Sequence, residues 1–247
     1  MDKPKLRDSK KLKSHEPYQL NEIPEELITD IGAYFIYLLY IGRKDITGAD
    51  WGDAFAKAIG GVHLDSPVGI ADVVLEERLA WSMKTVKNVN PFACKNVRLI
   101  SGRCSPDYSY GITDPHEDIQ KTGRAVLEIW NERVNIAHDS YSNVRTSVLI
   151  RSNDLLAYTL YESENHRYRT ADYVWEVNPN GNLIGKNKDT EEVCFTWQPH
   201  GSQFTIHEKV PDSAVKFSIK KPPVLTQESI LETIKFDKSW VKIEKQK

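Results

Sequence analysis

The stretch Gly69-Ile-Ala-Asp-Val-Val-Leu-Glu-Glu-Arg-Leu-Ala-Trp-Ser-Met-Lys-Thr-Val-Lys87 constrains this chain most. It reads as two short strands joined by a tight, charged turn. Side chains alternate between the faces of a strand. In the second strand Trp81, Met83 and Thr85 therefore oppose Ser82, Lys84 and Val86. Asp72 stands at the mouth of the first. Cross-strand partners share a face, so Asp72 and Lys84 converge only if the turn keeps their parity. A three-residue loop or a bulge around Glu76 to Arg78 keeps it, and a plain two-residue turn does not.

Helical signals surround this hairpin. Pro24 followed by Glu25 and Glu26 starts a helix to about Ile41, closed by Gly42. Its residues 34–41 are apolar almost all round, which suits a buried helix or half of a dimer interface. Thr47-Gly-Ala-Asp50 caps a second helix over 51–59, with Trp51, Phe55 and Ile59 on one stripe. A strand is expected over 97–100, then a loop over 101–110. Asp114 and Pro115 open a long helix to about Asn135. Ile119, Gly123, Val126, Leu127, Trp130 and Val134 form its apolar side, and Glu117, Lys121, Arg124 and Glu128 a charged stripe. Strands follow over 146–151, 155–162, 173–177, 193–197 and 203–206, and a last helix over 226–234. The fold class expected is α/β: a central mixed β-sheet flanked by helices, with extra strands in the C-terminal half.

The sequence of 247 residues has a net charge of -2, which argues against a generally basic nucleic-acid coat but leaves room for a local basic groove. Residues 1–22 read as a basic, mobile arm and 23–247 as one domain. Cys94, Cys104 and Cys194 make no C-x-x-C pair, so neither a disulfide framework nor a zinc site is encoded. His116, His138, His200 and His207 lack metal-ligand spacing. The densest apolar run, 31–41, falls short of the roughly 20 residues of a membrane span. No membrane association and a reducing, cytoplasmic location are expected.

The hairpin residues suggest phosphodiester chemistry. Acidic oxygens hold Mg²⁺, which activates water and neutralises charge on the phosphate. A nearby cation steadies the transition state or orients the water. Asp72 and Lys84 supply the acid and the cation. The bland alternatives are a strand-mouth cap or an Arg78 partner for Asp72, and an edge-strand gatekeeper for Lys84. Asp65, in Leu64-Asp-Ser-Pro67, is a rival first acid whose context reads as a turn.

Asp72 followed by Ser82-Met83-Lys84 resembles the PD-(D/E)XK nuclease core of type II restriction endonucleases. The resemblance spans about 48–135, including the acidic helix before the hairpin and the helix around Gln120-Lys-Thr-Gly-Arg-Ala-Val-Leu-Glu-Ile-Trp-Asn131 after it. Ala71 stands where the family has Pro, and Ser82 where it has the middle carboxylate. A subset of the family carries S-x-K and recruits its second acid from a neighbouring helix. The resemblance implies a restriction-endonuclease-like fold with a catalytic core at 48–135 and a strand-rich DNA-recognition part at 144–220. It implies Asp72, Ser82 and Lys84 as catalytic residues. Mg²⁺ would sit on Asp72 and one of Asp53, Glu128 or Glu117, among which the sequence does not choose. Double-stranded DNA would be the substrate of a homodimer whose interface is the 31–41 or the 114–135 helix.

Candidate DNA contacts are Lys87, Arg98, Arg103 and Arg124 for phosphates, with Lys95, Asn143-Val-Arg145 and His166-Arg-Tyr-Arg169 beside them. The loop Gln198-Pro-His-Gly-Ser-Gln203 offers Gln198, His200 and Gln203 for base edges. The rival readings are a non-catalytic DNA- or protein-binding module on the same fold, and a non-specific repair or phage nuclease.

Overall fold

The computed structural model describes residues 16–64, 70–76 and 78–244. The expected basic arm at 1–15 and the Asp65 turn lie outside these residues. The chain runs α1 (Glu25–Tyr40), α2 (Gly48–Ile59), β1 (Val62–His63), β2 (Val73–Leu75), β3 (Leu79–Lys87), β4 (Asn96–Arg103), α3 (Pro106–Tyr110), α4 (Ile119–Ser140), β5 (Asn143–Arg151) and β6 (Ala157–Glu164). It continues through β7 (Tyr173–Val177), β8 (Leu183–Asn187), β9 (Val193–Gln198), β10 (Gln203–Lys209), β11 (Val215–Ser218) and α5 (Gln227–Thr233). The fold is mixed α/β. A six-stranded sheet runs β1-β2-β3-β5-β6-β11, and a five-stranded sheet runs β4-β10-β9-β8-β7. The first sheet is mixed because β3 and β5 are parallel while its other pairings are antiparallel.

Strand alternation sorts the first sheet into two faces. Leu79, Trp81 and Met83 of β3 pack with Ile31, Phe35 and Leu38 of α1 and with Trp51 and Phe55 of α2. Ala80 turns the other way, with Val144 of β5, to meet Val126, Leu127, Trp130 and Val134 of α4. The far side of α4 meets Trp175, Phe195 and Phe204 of the second sheet. At one end the two sheets touch directly, where Val97 and Leu99 of β4 pack on Val148, Ile150 and Tyr161. The layers are therefore α1 and α2, the first sheet, α4 as a wedge, and the second sheet.

Local sequence explains these elements. Thr47 and Asp50 form a reciprocal capping box on α2, and Gly60 closes it in the left-handed region. The α4 cap is Asp118, whose side chain accepts the Lys121 N–H. The expected cap, Asp114, instead accepts the His116 N–H and makes a local turn before the helix. The expected loop at 101–110 holds the end of β4 and the short α3, with Pro106 in its first turn. Strands β8 and β11 went unrecognised in the sequence. Gly185 breaks the side-chain pattern of β8, where an added Cβ would crowd Phe195 at 2.9 Å and Trp175 at 3.0 Å, and β11 is a four-residue edge strand carrying Lys216.

Residues 16–22 do not belong to an arm: Tyr18 is buried and donates to Glu162 Oε1 at 2.8 Å. Trp81 Nε1 and Arg145 Nη1 also donate to Glu162, each at 2.9 Å. Arg145 Nη2 reaches Glu16 at 2.8 Å. Arg145 is thus a buried ion-pair partner and not a DNA contact.

Among the described residues, no helix is long and apolar enough to cross a membrane. The α1 helix buries Ile31, Phe35 and Leu38 and exposes Ile36, Tyr37 and Tyr40. The apolar side of α4 is covered by both sheets.

Candidate active site

The site begins with the register of β2 and β3. Leu75 pairs with Leu79 and Val73 with Trp81. The connection is the three residues 76–78, with Glu76 in the left-handed region at φ 51°. Parity is kept, so Asp72 lies opposite Ser82, and Lys84 shares their face. Asp72 N–H donates to the Trp81 carbonyl at 2.8 Å, which extends the ladder to Asp72 itself.

Asp72 is held through one oxygen. Its Oδ2 accepts the Met83 N–H at 2.7 Å and the Ser82 hydroxyl at 3.3 Å. Among the described residues no donor reaches Oδ1, which leaves that oxygen for a cation or water.

Lys84 points into the seam between β3, α4 and β4. Burial there pushes its ammonium below the ordinary lysine range. The Asp72 carboxylate acts in the opposite sense, and the Arg133 guanidinium of α4 lowers it further. Arg133 closes the seam against β4. An ideal Cβ on Gly102 would lie 2.5 Å from Arg133 Nη1. Gly102 has φ +100° and sits in a bulge of β4, between the pairs Gln203–Arg103 and Thr205–Ile100. Cys104, just beyond, is fully buried, which pushes its thiol up to about 12 against the opposing charge of Arg133.

The helix acids expected to complete a metal site are not brought to Asp72. Asp53 belongs to α2, on the opposite face of the sheet, and pairs with His63 Nδ1 at 2.7 Å. Glu117 precedes α4 and lies about 24 Å along its axis from Arg133. Glu128 is about 140° around α4 from Arg133, beside Tyr110, whose hydroxyl pKa is raised by burial and by the nearby Glu128 carboxylate. Among the described residues no group of three or more His, Cys, Asp or Glu side chains converges.

The expected DNA contacts divide. Arg103 and Gln198 both pair with Gln203, so the three form one row across β4, β10 and β9. This row is one residue from Gly102 but on the face of the sheet away from α4, since Phe204 and Trp197 face the helix. The Cys104 N–H donates to the Ser202 carbonyl at 2.8 Å and ties the β9–β10 turn to the end of β4. His200 is exposed in that turn. Lys87 is exposed at the end of β3. Arg98 lies on the opposite face of β4 from Leu99 and reaches Thr196 Oγ1 at 3.5 Å, away from the seam. Arg124 is exposed beside a cavity of about 380 Å³ lined by Gln120, Tyr173, Trp175 and Lys188, roughly 13 Å along α4 from Arg133.

Arg133 was missed in the sequence, although a signal existed. It lies at i+7 from Val126, i+3 from Trp130 and i−4 from Ala137, all buried. A cation in line with such a stripe faces the core unless a site calls for it there.

Comparison with protein-family models, with curated proteins and with solved structures finds no match to this chain.

Proposed function

We propose that this chain is a metal-dependent endonuclease of PD-(D/E)XK type that cuts double-stranded DNA. The observation that carries the reading is the β2–β3 register, in which a three-residue turn keeps Asp72, Ser82 and Lys84 on one face. Two acidic oxygens on one strand and a desolvated lysine two residues past the facing serine fit an S-x-K core.

The donor set fits Mg²⁺ held by few protein ligands. Mg²⁺ is commonly bound through one or two carboxylates, with waters and substrate phosphates completing its shell. Asp72 would hold it through the free Oδ1. When bound, it would supply charge neutralisation at the phosphate and a more acidic water. Met83 N–H and Ser82 hold the Asp72 carboxylate through Oδ2 and leave Oδ1 without a protein donor among the described residues. Lys84, with its ammonium weakened by burial, is suited to orient the attacking water or exchange a proton with it.

Sequence specificity, as in a type II restriction enzyme, is supported by the Arg103–Gln203–Gln198 row. Arg and Gln are side chains that read guanine and adenine edges with paired hydrogen bonds, and a rigid sheet end holds these three. A homodimer would match a two-fold symmetric site. The exposed Ile36, Tyr37 and Tyr40 of α1 favour that helix as the interface.

Incubation with plasmid DNA, with Mg²⁺ and with chelator, tests the reading. Discrete fragments that require Mg²⁺ are expected. A Mg²⁺-dependent smear would assign non-specific cleavage. A second reading, a DNA-binding module without catalysis, is favoured by the lone Asp72 in the seam. Its signature is duplex binding with no cutting in Mg²⁺ or Mn²⁺.

A further inference from the structure

The seam beside Asp72 holds more positive charge than its one carboxylate balances. Arg133 comes from α4 and lies over the β4 bulge, its Nη1 filling the space that a side chain at Gly102 would need. Its guanidinium touches the Gly102 bulge of β4, and its charge acts on Lys84 of β3 and on Cys104 just past β4. Among the described residues it takes part in none of the salt bridges. Its neighbours in line along α4, Val126, Trp130 and Ala137, are buried. The fold thus turns a half-buried arginine inward, next to a lysine of the same sign. Like charges in a partly dehydrated space repel, and each loses hydration. An anion held by both would relieve that repulsion.

We infer that Arg133 binds a phosphate group of the substrate, gripping non-bridging oxygens in the seam between Lys84 and the Gly102 bulge. A guanidinium matches a phosphate with two parallel hydrogen bonds, which an ammonium does not. Gly102 matters because it carries no side chain: its bulge gives the guanidinium room beside the strand. The neighbouring row of Arg103, Gln203 and Gln198 lies on the other face of the second sheet, because Phe204 and Trp197, one residue along, face α4. The nature of the anion, a DNA phosphodiester, rests on the nuclease reading above.

The test compares the full-length chain with Arg133→Gln and Arg133→Lys in binding a fluorescent DNA duplex in Ca²⁺ over a series of salt concentrations. Loss of one phosphate contact lowers the slope of log affinity against log salt by about 0.9. The expected result for Arg133→Gln is binding weaker by about tenfold or more and a slope smaller by about one. Arg133→Lys is expected to keep the slope and lose part of the affinity. Thermal melting of each variant controls for folding, and a merely structural role would leave the salt slope unchanged. An Arg133→Gln variant with the wild-type slope overturns the inference. If the wild-type chain binds duplex but never cuts, the nuclease reading fails while the slope still decides the role of Arg133. If the wild-type chain binds no duplex, calorimetric titration with inorganic phosphate decides. Binding that Arg133→Gln loses supports an anion site, and no binding to the wild type overturns it.

Discussion

The Ser82 hydroxyl donates to Asp72 Oδ2 at 3.3 Å, while the neighbouring Met83 N–H reaches the same oxygen at 2.7 Å. The shorter contact comes from the main chain, which no side-chain substitution removes. Ser82 stands where the E-x-K pattern has a carboxylate, yet here it acts as a minor tether of the acid opposite. Ser82→Ala should therefore cost less than about 1 kcal/mol of stability and change cleavage by less than about fivefold. Asp72→Asn keeps an acceptor for Met83 N–H but removes the charge. It should melt like wild type and lose at least about a hundredfold in Mg²⁺-dependent cleavage. Plasmid-nicking rates and melting curves of the two variants check both statements. Equal loss in both would mean that Ser82 takes part in the chemistry.

The contact between α4 and the second sheet is tested by two glycines. A Cβ on Gly123 would lie 2.2 Å from Trp175 Cγ, whereas a Cβ on Gly48 meets nothing within 4 Å. Gly123→Ala should destabilise the fold by about 1–3 kcal/mol through overpacking. Gly48→Ala, at the start of α2, should be neutral or stabilising by up to about 1 kcal/mol. Urea denaturation of both variants reads the difference. A wild-type midpoint for Gly123→Ala would contradict the packing of α4 against Trp175.

Glu208 makes a pH prediction. Burial raises its carboxyl above the ordinary glutamate value, against hydrogen bonds from Tyr161 and Ser163 and the charge of His166. The native state then keeps a proton that the unfolded chain has lost. The group's stabilising contribution is complete below the unfolded pKa and is lost as pH rises through the folded pKa. Glu208→Gln removes this dependence while keeping an acceptor for Tyr161. The stability of wild type relative to Glu208→Gln should fall as pH rises from acidic towards neutral, then level off. Denaturant midpoints across that range measure it, and a constant difference would refute the shifted carboxyl.

The hairpin was legible in the sequence because a strand's period is fixed, but whether Asp72 and Lys84 share a face hung on the turn length, which the register settles. The cap of α2 was legible because Thr47 with Asp50 carries its own local chemistry. What was not legible depends on contacts distant in sequence. Gly185 hid β8 by breaking its side-chain pattern, at the point where Phe195 and Trp175 pack. Asp118 displaced Asp114 as the α4 cap because both can accept main-chain N–H groups and only tertiary packing chooses. Asp53, Glu117 and Glu128 were candidates because the S-x-K resemblance implies a second acid from a neighbouring helix, but helix phase and sheet face turn them away from Asp72. Arg133 stood on the buried stripe throughout, and only the approach of β4 gave it a role.

The most direct test of the central claim is Mg²⁺-dependent cleavage of plasmid DNA by Lys84→Ala, with duplex binding measured on the same preparation. The claim predicts binding close to wild type and cleavage lower by at least about a hundredfold, the scale of a lost proton-transfer group. Cleavage by Lys84→Ala at the wild-type rate would contradict it.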